Sequence, residues 1–370
     1  RGPQTQHALR NCGLTGFKGR FSEKVRNESG TPSKTIVEGH GRRALPFSTM
    51  ESAMGRPLRH ECPDTIFFIT NRVIRREFRL RPCPRVNAII RGCLTWAASK
   101  HGVLIYCFKF MSNHFHLMAR APHCNLSAFM GDFQVEVTRR VNALHGRSGP
   151  MWAHRFHAEP ILDEAALVDK MRYILCNGVE AGLVAEPGDW PGLTSWDAQV
   201  SGEEAIEGRF ILSKELRPLQ REDPELTRDD ARITYRLELT RLPCWDDLDQ
   251  ATYRRTLEEL VEGTCKKTAK RLEALGRDFL GAKKVLRQSW KTRARTPDTR
   301  RRPLCHASCR QVRQDWREEY NERRDRYIKA AAALRKGQTR SPPEFPEGTY
   351  PPGRQRCVGA PRHAAFAAAA

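Results

Sequence analysis

From residue 65 onward the apolar positions fall into runs that switch between strand and helix periods. Residues 65–70 (TIFFIT) form a β-rich run and predict a strand. Pro84 opens a stretch where Val86, Ile89, Ile90, Cys93, Leu94 and Ala97 recur at the i, i+3, i+4 spacing of one buried helical face. Residues 103–110 are nearly all apolar, as in a central strand. Met111-Ser112-Asn113 then turn the chain into 114–119. Strand side chains alternate, so His114, His116 and Met118 face one way there, while Phe115, Leu117 and Ala119 face the core. A stripe of Leu126, Phe129, Met130, Phe133, Val137, Val141 and Leu144 predicts a second helix over 126–144. A short strand around 156–162 leads into a third helix over 164–176. This order predicts an α+β fold, a small antiparallel sheet with helices on one face.

The flanking regions read differently. Residues 1–53 are polar and basic without apolar periodicity and are expected to be disordered, with Met50 and Met54 as candidate starts. The organised part runs over 54–200. Beyond it, 201–352 reads as a mostly helical, basic accessory region, with helical stretches at 253–261 and 315–334 and a run of prolines after them. Residues 353–370 form an alanine-rich tail of low information. No internal repeat is found.

Charge changes the picture. Lys and Arg number 64 against 43 Asp and Glu, a net +21, which points to a partner made of phosphates. No run approaches the roughly 20 apolar residues of a membrane span, and no apolar signal-peptide core is found; no membrane partner is expected. The 12 cysteines are scattered, several of them inside apolar runs, which suits free thiols in a reducing cytoplasm. Cys305-His306…Cys309 has zinc-type donors, but no second pair follows at a familiar spacing.

His114 and His116, flanking Phe115 on one strand, can hold one metal ion. On the third helix Leu167, Met171, Ile174 and Leu175 form the apolar stripe. Tyr173 and Asn177, four apart, share a flank well off it. If that flank meets the histidine face, Asn177 becomes a third, oxygen ligand. Two imidazoles and an amide oxygen would accept Mg2+ or Mn2+ and leave positions for a phosphate oxygen. Tyr173 could then attack the phosphate and store the bond energy in a phosphotyrosine ester. His154 and His157 read as phosphate neighbours or surface residues.

Several motifs occur in a known order. Phe110-Met111-Ser112-Asn113-His114-Phe115-His116-Leu117-Met118 resembles the M-P-N-H-hydrophobic-H signature of single-tyrosine HUH transposases of the insertion sequence 200/605 superfamily. Met151-Trp152…Arg155-Phe156 resembles the W-x-x-R-F segment of their REP-associated tyrosine transposase branch. Arg172-Tyr173-Ile174-Leu175-Cys176-Asn177-Gly178-Val179 resembles its R-Y-I-x-x-N-P-V helix, and 181–192 continue the likeness. Phe345-Pro346-Glu347-Gly348-Thr349-Tyr350 is similar to an F-P-x-G-T-Y tail in some long relatives. The resemblance covers about residues 54–196.

It implies a ferredoxin-like or RRM-like domain, with His114 and His116 as metal ligands, Tyr173 as nucleophile and Asn177 as a metal-side ligand. It also implies single-stranded DNA beside hairpins as substrate, bacterial and nucleoid-associated, with a homodimer as a further partner the superfamily allows. Ser112 and Gly178 replace prolines of the family pattern. Gly178 is expected to loosen the end of the Tyr173 helix.

For DNA contacts the expected residues are Arg139, Arg140, Arg147, Trp152, Arg155 and Phe156. Trp152 and Phe156 either stack on bases or fill core. The segment 281–302 adds nine basic residues against one acidic, among them Lys283, Lys284 and Arg287. Two other functions fit the same elements: a domesticated or inactive hairpin-DNA-binding protein, and an RRM-like RNA-binding protein. The last needs exposed aromatic residues on its central strands.

Overall fold

The computed structural model describes residues 57–202, 205–294, 303–337, 343–353 and 357–359. The expectations for 1–53 and for most of 353–370 fall outside them. The first part runs β1 (Ile66–Arg72), α1 (Pro84–His101), β2 (Leu104–Phe110), β3 (His114–Arg120), α2 (Leu126–Leu144), β4 (His157–Pro160) and α3 (Glu164–Glu180). The four strands lie in the order β2-β3-β1-β4, every neighbour antiparallel. This is the ferredoxin-like β-α-β-β-α-β arrangement.

One face of the sheet carries Phe67, Ile69, Phe108, Phe110, Phe115 and Leu117. These pack with Val86, Ile90 and Leu94 of α1 and with Phe129, Phe133 and Val137 of α2. The other face carries Phe68, Cys107 and Met118, packed with Met171, Ile174 and Leu175 of α3. Helices therefore cover both faces, whereas a single covered face was expected. The reason lies in β1 and β2, which are almost wholly buried. Strands apolar on both sides need cover on both sides.

The remaining elements are α4 (Trp196–Ser201), β5 (Ala205–Phe210), α5 (Ser213–Glu222), β6 (Ile233–Glu238), α6 (Gln250–Glu273), α7 (Ala282–Arg287) and α8 (Arg310–Lys336). They share cores with the first part. Tyr253, Leu257 and Val261 of α6 join the α3 core, and Phe210 and Leu237 of the β5–β6 hairpin join the α1 core. The mostly helical reading of 201–352 missed this hairpin. Its strands are short and largely exposed: Ile233, Tyr235 and Leu237 do alternate with polar residues on β6, but β5 shows no regular alternation to pair with it.

Helix ends are capped from near and far. Asp163 accepts from Ala166 N at 2.8 Å to start α3. At α2 the cap comes from outside: Glu61 accepts from Leu126 N at 2.9 Å and Ser127 N at 3.1 Å, placing a carboxylate at the positive end of the helix. Glu61 N in turn donates to the Gly348 carbonyl at 2.8 Å, so the 345–350 tail motif holds this cap in place. A Cβ at Gly348 would fall 2.4 Å from the Glu61 carbonyl oxygen, and its φ is +71.

The hairpin and α1 approach backbone to backbone. A Cβ at Gly92 would lie 2.4 Å from the Arg209 carbonyl oxygen, and one at Gly208 would lie 2.8 Å from the Arg91 carbonyl. Gly92→Val should therefore push the hairpin off α1 and lower stability by about 1–3 kcal/mol in denaturant unfolding. A Gly131→Val control, with open space around its Cβ, should show no steric loss of that kind.

Candidate active site between the sheet and the third helix

β3 carries the two histidines into the α3 side of the sheet. His116 is buried, and the His114 and His116 rings lie 4.9 Å apart, centroid to centroid, at 80°. The turn before them is held by its backbone: Met111 N donates to the His114 carbonyl, Val73 N to that of Asn113 and Leu80 N to that of Ser112. Ser112, where the motif it resembles has proline, is thus held through its carbonyl by a hydrogen bond rather than by a ring. Asn113 Oδ1 lies 2.7 Å from His114 Nδ1. An Nδ1–H donated there leaves Nε2 of His114 as the nitrogen for a metal and sets the ring's orientation.

Helix α3 crosses this face with Tyr173 turned toward it. The Tyr173 ring lies 5.2 Å from His116 and 5.9 Å from Phe68, edge-on to both. Phe68 stacks on His116 at 5.3 Å and 19°, forming a floor between them. Lys170 Nζ lies 5.7 Å from the Tyr173 ring centroid. Asn177 is half-buried one turn further on. Three of the expected residues, His114, His116 and Tyr173, are thus gathered. Among the described residues no three His, Cys, Asp or Glu side chains form a metal-holding group. His114 and His116 are the imidazole donors on this face that could hold a divalent ion, and Asn177, on the same helix as Tyr173, carries the amide oxygen expected beside them.

Gly178 does not loosen the helix. It is buried inside α3, which continues to Glu180. A Cβ there would meet Val184 at 3.3 Å and Trp190 at 3.4 Å. Trp190 is itself anchored, its indole N–H donating to the Phe110 carbonyl at 3.0 Å. Glycine at 178 lets this ring close against the helix.

Several residues of this face were missed. Lys109 is the cross-strand partner of His116 on β2, fully buried, with Nζ donating to the Leu175 carbonyl of α3 at 2.6 Å. Thr70 and Arg72 of β1 are the partners of His116 and His114. Glu159 of β4 shares this face through its pairing with Phe68. It accepts from His306 Nε2 at 3.1 Å, and His306 lies edge-on to Phe68 at 5.3 Å. His306 thus reaches the sheet from outside the first part of the chain. The alternation that singled out His114 and His116 would have found Lys109 and Arg72 once the register was known.

At the end of β1, Arg75 and Arg76 hold left-handed backbones, φ 54 and 56. Asn113 Nδ2 donates to the Arg76 carbonyl at 3.4 Å, so this strained turn is joined to the histidine motif.

The expected DNA contacts scatter. α2 lies across the sheet from His114 and His116, so Arg139 and Arg140 are not beside the site. Arg139 pairs with Glu136 at 2.8 Å, and Arg140 lies over Phe210 at 4.2 Å and donates to the Ile211 carbonyl. Trp152 packs edge-on to Phe115 at 5.5 Å and donates to the Gln134 carbonyl; Phe156 is buried under Arg59. Both take the core alternative. Arg155 is exposed beside β4. Arg147 lies over Trp290 at 5.7 Å. Lys283, Lys284 and Arg287 are exposed on α7, whose Val285 packs with Met111, Val179 and Trp190. That places this basic helix against the end of α3 and the turn before His114.

No family model matches the chain, and no curated protein matches it. Solved structures similar to it include a REP-associated tyrosine transposase bound to a REP hairpin, 19% identical, covering 40% of this chain and 86% of that one, with a TM-score of 0.35. Another is a transposase candidate from Deinococcus radiodurans R1, 16% identical, covering 33% and 94%, with a TM-score of 0.24. No helix among the described residues is long and apolar enough to cross a membrane.

Burial lowers the Lys109 ammonium from its ordinary 10.5 to about 8. The unfolded chain keeps that proton up to the ordinary value, whereas the folded chain releases it near 8. Between the two the unfolded state binds more protons, and stability rises with pH. Lys109→Met should remove this rise and be more stable than the parent chain below pH 8. Denaturant midpoints on either side of the window check both.

Proposed function

We propose that the chain cleaves and rejoins single-stranded DNA as a transposase of the single-tyrosine HUH kind, next to hairpin or palindromic elements. One observation carries this reading: the Tyr173 ring lies 5.2 Å from His116, on the sheet face that His114 also occupies. The ordered motifs around these residues support it.

In the proposed reaction the Tyr173 oxygen attacks the scissile phosphorus. The bond from phosphorus to the 3′ oxygen breaks, and that oxygen leaves with a proton as a free 3′-hydroxyl. The 5′ end remains esterified to Tyr173, and attack by a 3′-hydroxyl reverses the step without ATP. His114, His116 and Asn177 would hold the divalent ion, Mg2+ or Mn2+, which when bound polarises the phosphate. Asn113 orients His114. Phe68 and the buried Lys109 fix the relation between β3 and α3, which positioning of the nucleophile requires. Arg72, Arg75 and Arg76 supply positive charge at the end of the sheet nearest His114, and Lys283, Lys284 and Arg287 extend it. Affinity should accordingly fall as salt rises.

An RRM-like RNA-binding role fits the structure poorly. Such a role uses an open sheet face with exposed aromatics, and here α3 and α6 close that face.

The test uses labelled hairpin DNA with single-stranded flanks and Mn2+. The parent chain should form an adduct that survives a denaturing gel, and Tyr173→Phe should lose it while still binding. An adduct that persists in Tyr173→Phe refutes the nucleophile. Binding without any adduct in the parent chain would favour the non-mobilising hairpin-binding protein. Asn113→Ala should cost roughly ten- to a hundred-fold in adduct formation, offset in part by more metal.

Arg75→Gly separates strain from function. Relief of the left-handed φ should raise stability by up to ~1 kcal/mol. Loss of the guanidinium should weaken DNA binding and flatten its salt dependence. Thermal unfolding and a salt titration read the two effects.

A further inference from the structure

Beside the edge strand β4 lies a cavity of about 520 Å³, enclosed by residues 57–62, the β4 edge and one face of α8. Its size is that of a pocket for one small ligand. From α8 come Trp316, Tyr320 and Arg323, at the spacing that puts side chains on one helix face. Trp316 is half-buried and stacks on Tyr320 at 5.2 Å and 19°. Tyr320 is buried, its hydroxyl accepting from Leu58 N at 2.9 Å. The opposite wall carries Arg59 and Arg155.

Three features mark the cavity as built for an anionic, aromatic-binding ligand. Arg323 Nη1 is buried with no hydrogen-bond partner among the described residues, while Nη2 of the same guanidinium stands 3.8 Å from Glu319 Oε2. A buried guanidinium donor left unpaired is costly unless a ligand meets it. His60 is held neutral, lowered to about 4 by burial and by the neighbouring Arg323. Arg59 is lowered to about 10 by burial and by Arg155, the mark of guanidinium groups crowded together.

The cavity also borders the strand two places from the histidine strand. His157 and Glu159 of β4 line it. His157 pairs with Thr70, which on its other side pairs with His116. All three face the same way, so the cavity begins two strand spacings, roughly 10 Å, from His116. That distance suits a nucleotide about one or two positions from a phosphate held at His116.

We propose that this cavity binds one unpaired nucleotide of the strand that enters the Tyr173 site, its base against Trp316 and its phosphate or base edge on Arg323. The proposal rests on the DNA-cleaving reading above and names the subsite that would set the position of cutting.

The test walks a single abasic site along the flank of a fluorescent hairpin oligonucleotide and measures binding to the full chain. One position should weaken binding by about tenfold, the effect of losing one stacked base. Trp316→Ala should bind intact DNA about as weakly and show no further loss at that position, whereas Trp316→Phe should restore the pattern. Arg323→Gln should lower affinity at every abasic position alike. A flat scan, or a scan unchanged in Trp316→Ala, overturns the pocket. If Tyr173-dependent adduct still forms on the same oligonucleotides, the cleavage reading survives that failure. If the parent chain neither binds nor forms adduct, both fall.

Discussion

A four-stranded sheet that carries apolar side chains on both faces cannot leave either face to water. Phe115 and Leu117 hold β3 against α1 and α2, and the alternation of the strand then commits His114, His116 and Met118 to the opposite face. Phe68, Cys107 and Met118 there demand a cover of their own, and α3 provides it with Met171, Ile174 and Leu175. The candidate site is a consequence of this cover. Tyr173, on the flank of the covering helix, arrives beside His116 because its neighbours are buried in the same core.

Polar groups inside that contact set its geometry. Lys109 spans β2 and α3 through the Leu175 carbonyl, at the cost of a buried ammonium. Gly178 lets Trp190 close on the helix, and Trp190 returns a hydrogen bond to Phe110 on β2. The strained turn at Arg75 and Arg76 leans on Asn113, and Asn113 on His114. Hydrophobic burial brings the elements together without direction. These directional contacts fix how β3 and α3 meet.

The parts beyond residue 200 extend this arrangement rather than stand beside it. α6 widens the cover over the second face, the hairpin backs α1, and the 345–350 tail secures Glu61 at the start of α2. His306 pairs with Glu159 on the sheet, and α8 walls the cavity at the β4 edge. Residues distant in sequence thus reach the surroundings of the histidine strand.

Much of the first part was legible because its periods are strong. The stripe from Leu126 to Leu144 matches α2 end to end, and Pro84 opens α1. The faces of His114, His116 and Tyr173 follow from alternation and helical spacing, both local rules. The hairpin was not read, since β5 lacks a regular alternation and only Leu237 of the alternating Ile233, Tyr235 and Leu237 is buried. The roles of Trp152 and Arg140 were not legible either, because a residue's place in sequence says nothing about which side of a sheet its helix takes.

The amino-acid order by itself determined the elements of the first part, the side of its strands that carries polar groups, and the shared face of His114 and His116. Those depend on dihedral preference and spacing along one segment. Only the tertiary structure decided that both faces are covered, that Lys109 and Glu159 share the histidine face, and that α8 closes a cavity at the β4 edge. Such facts depend on register and packing between segments far apart in the chain, where burial of one side chain is settled by another that no local rule can see.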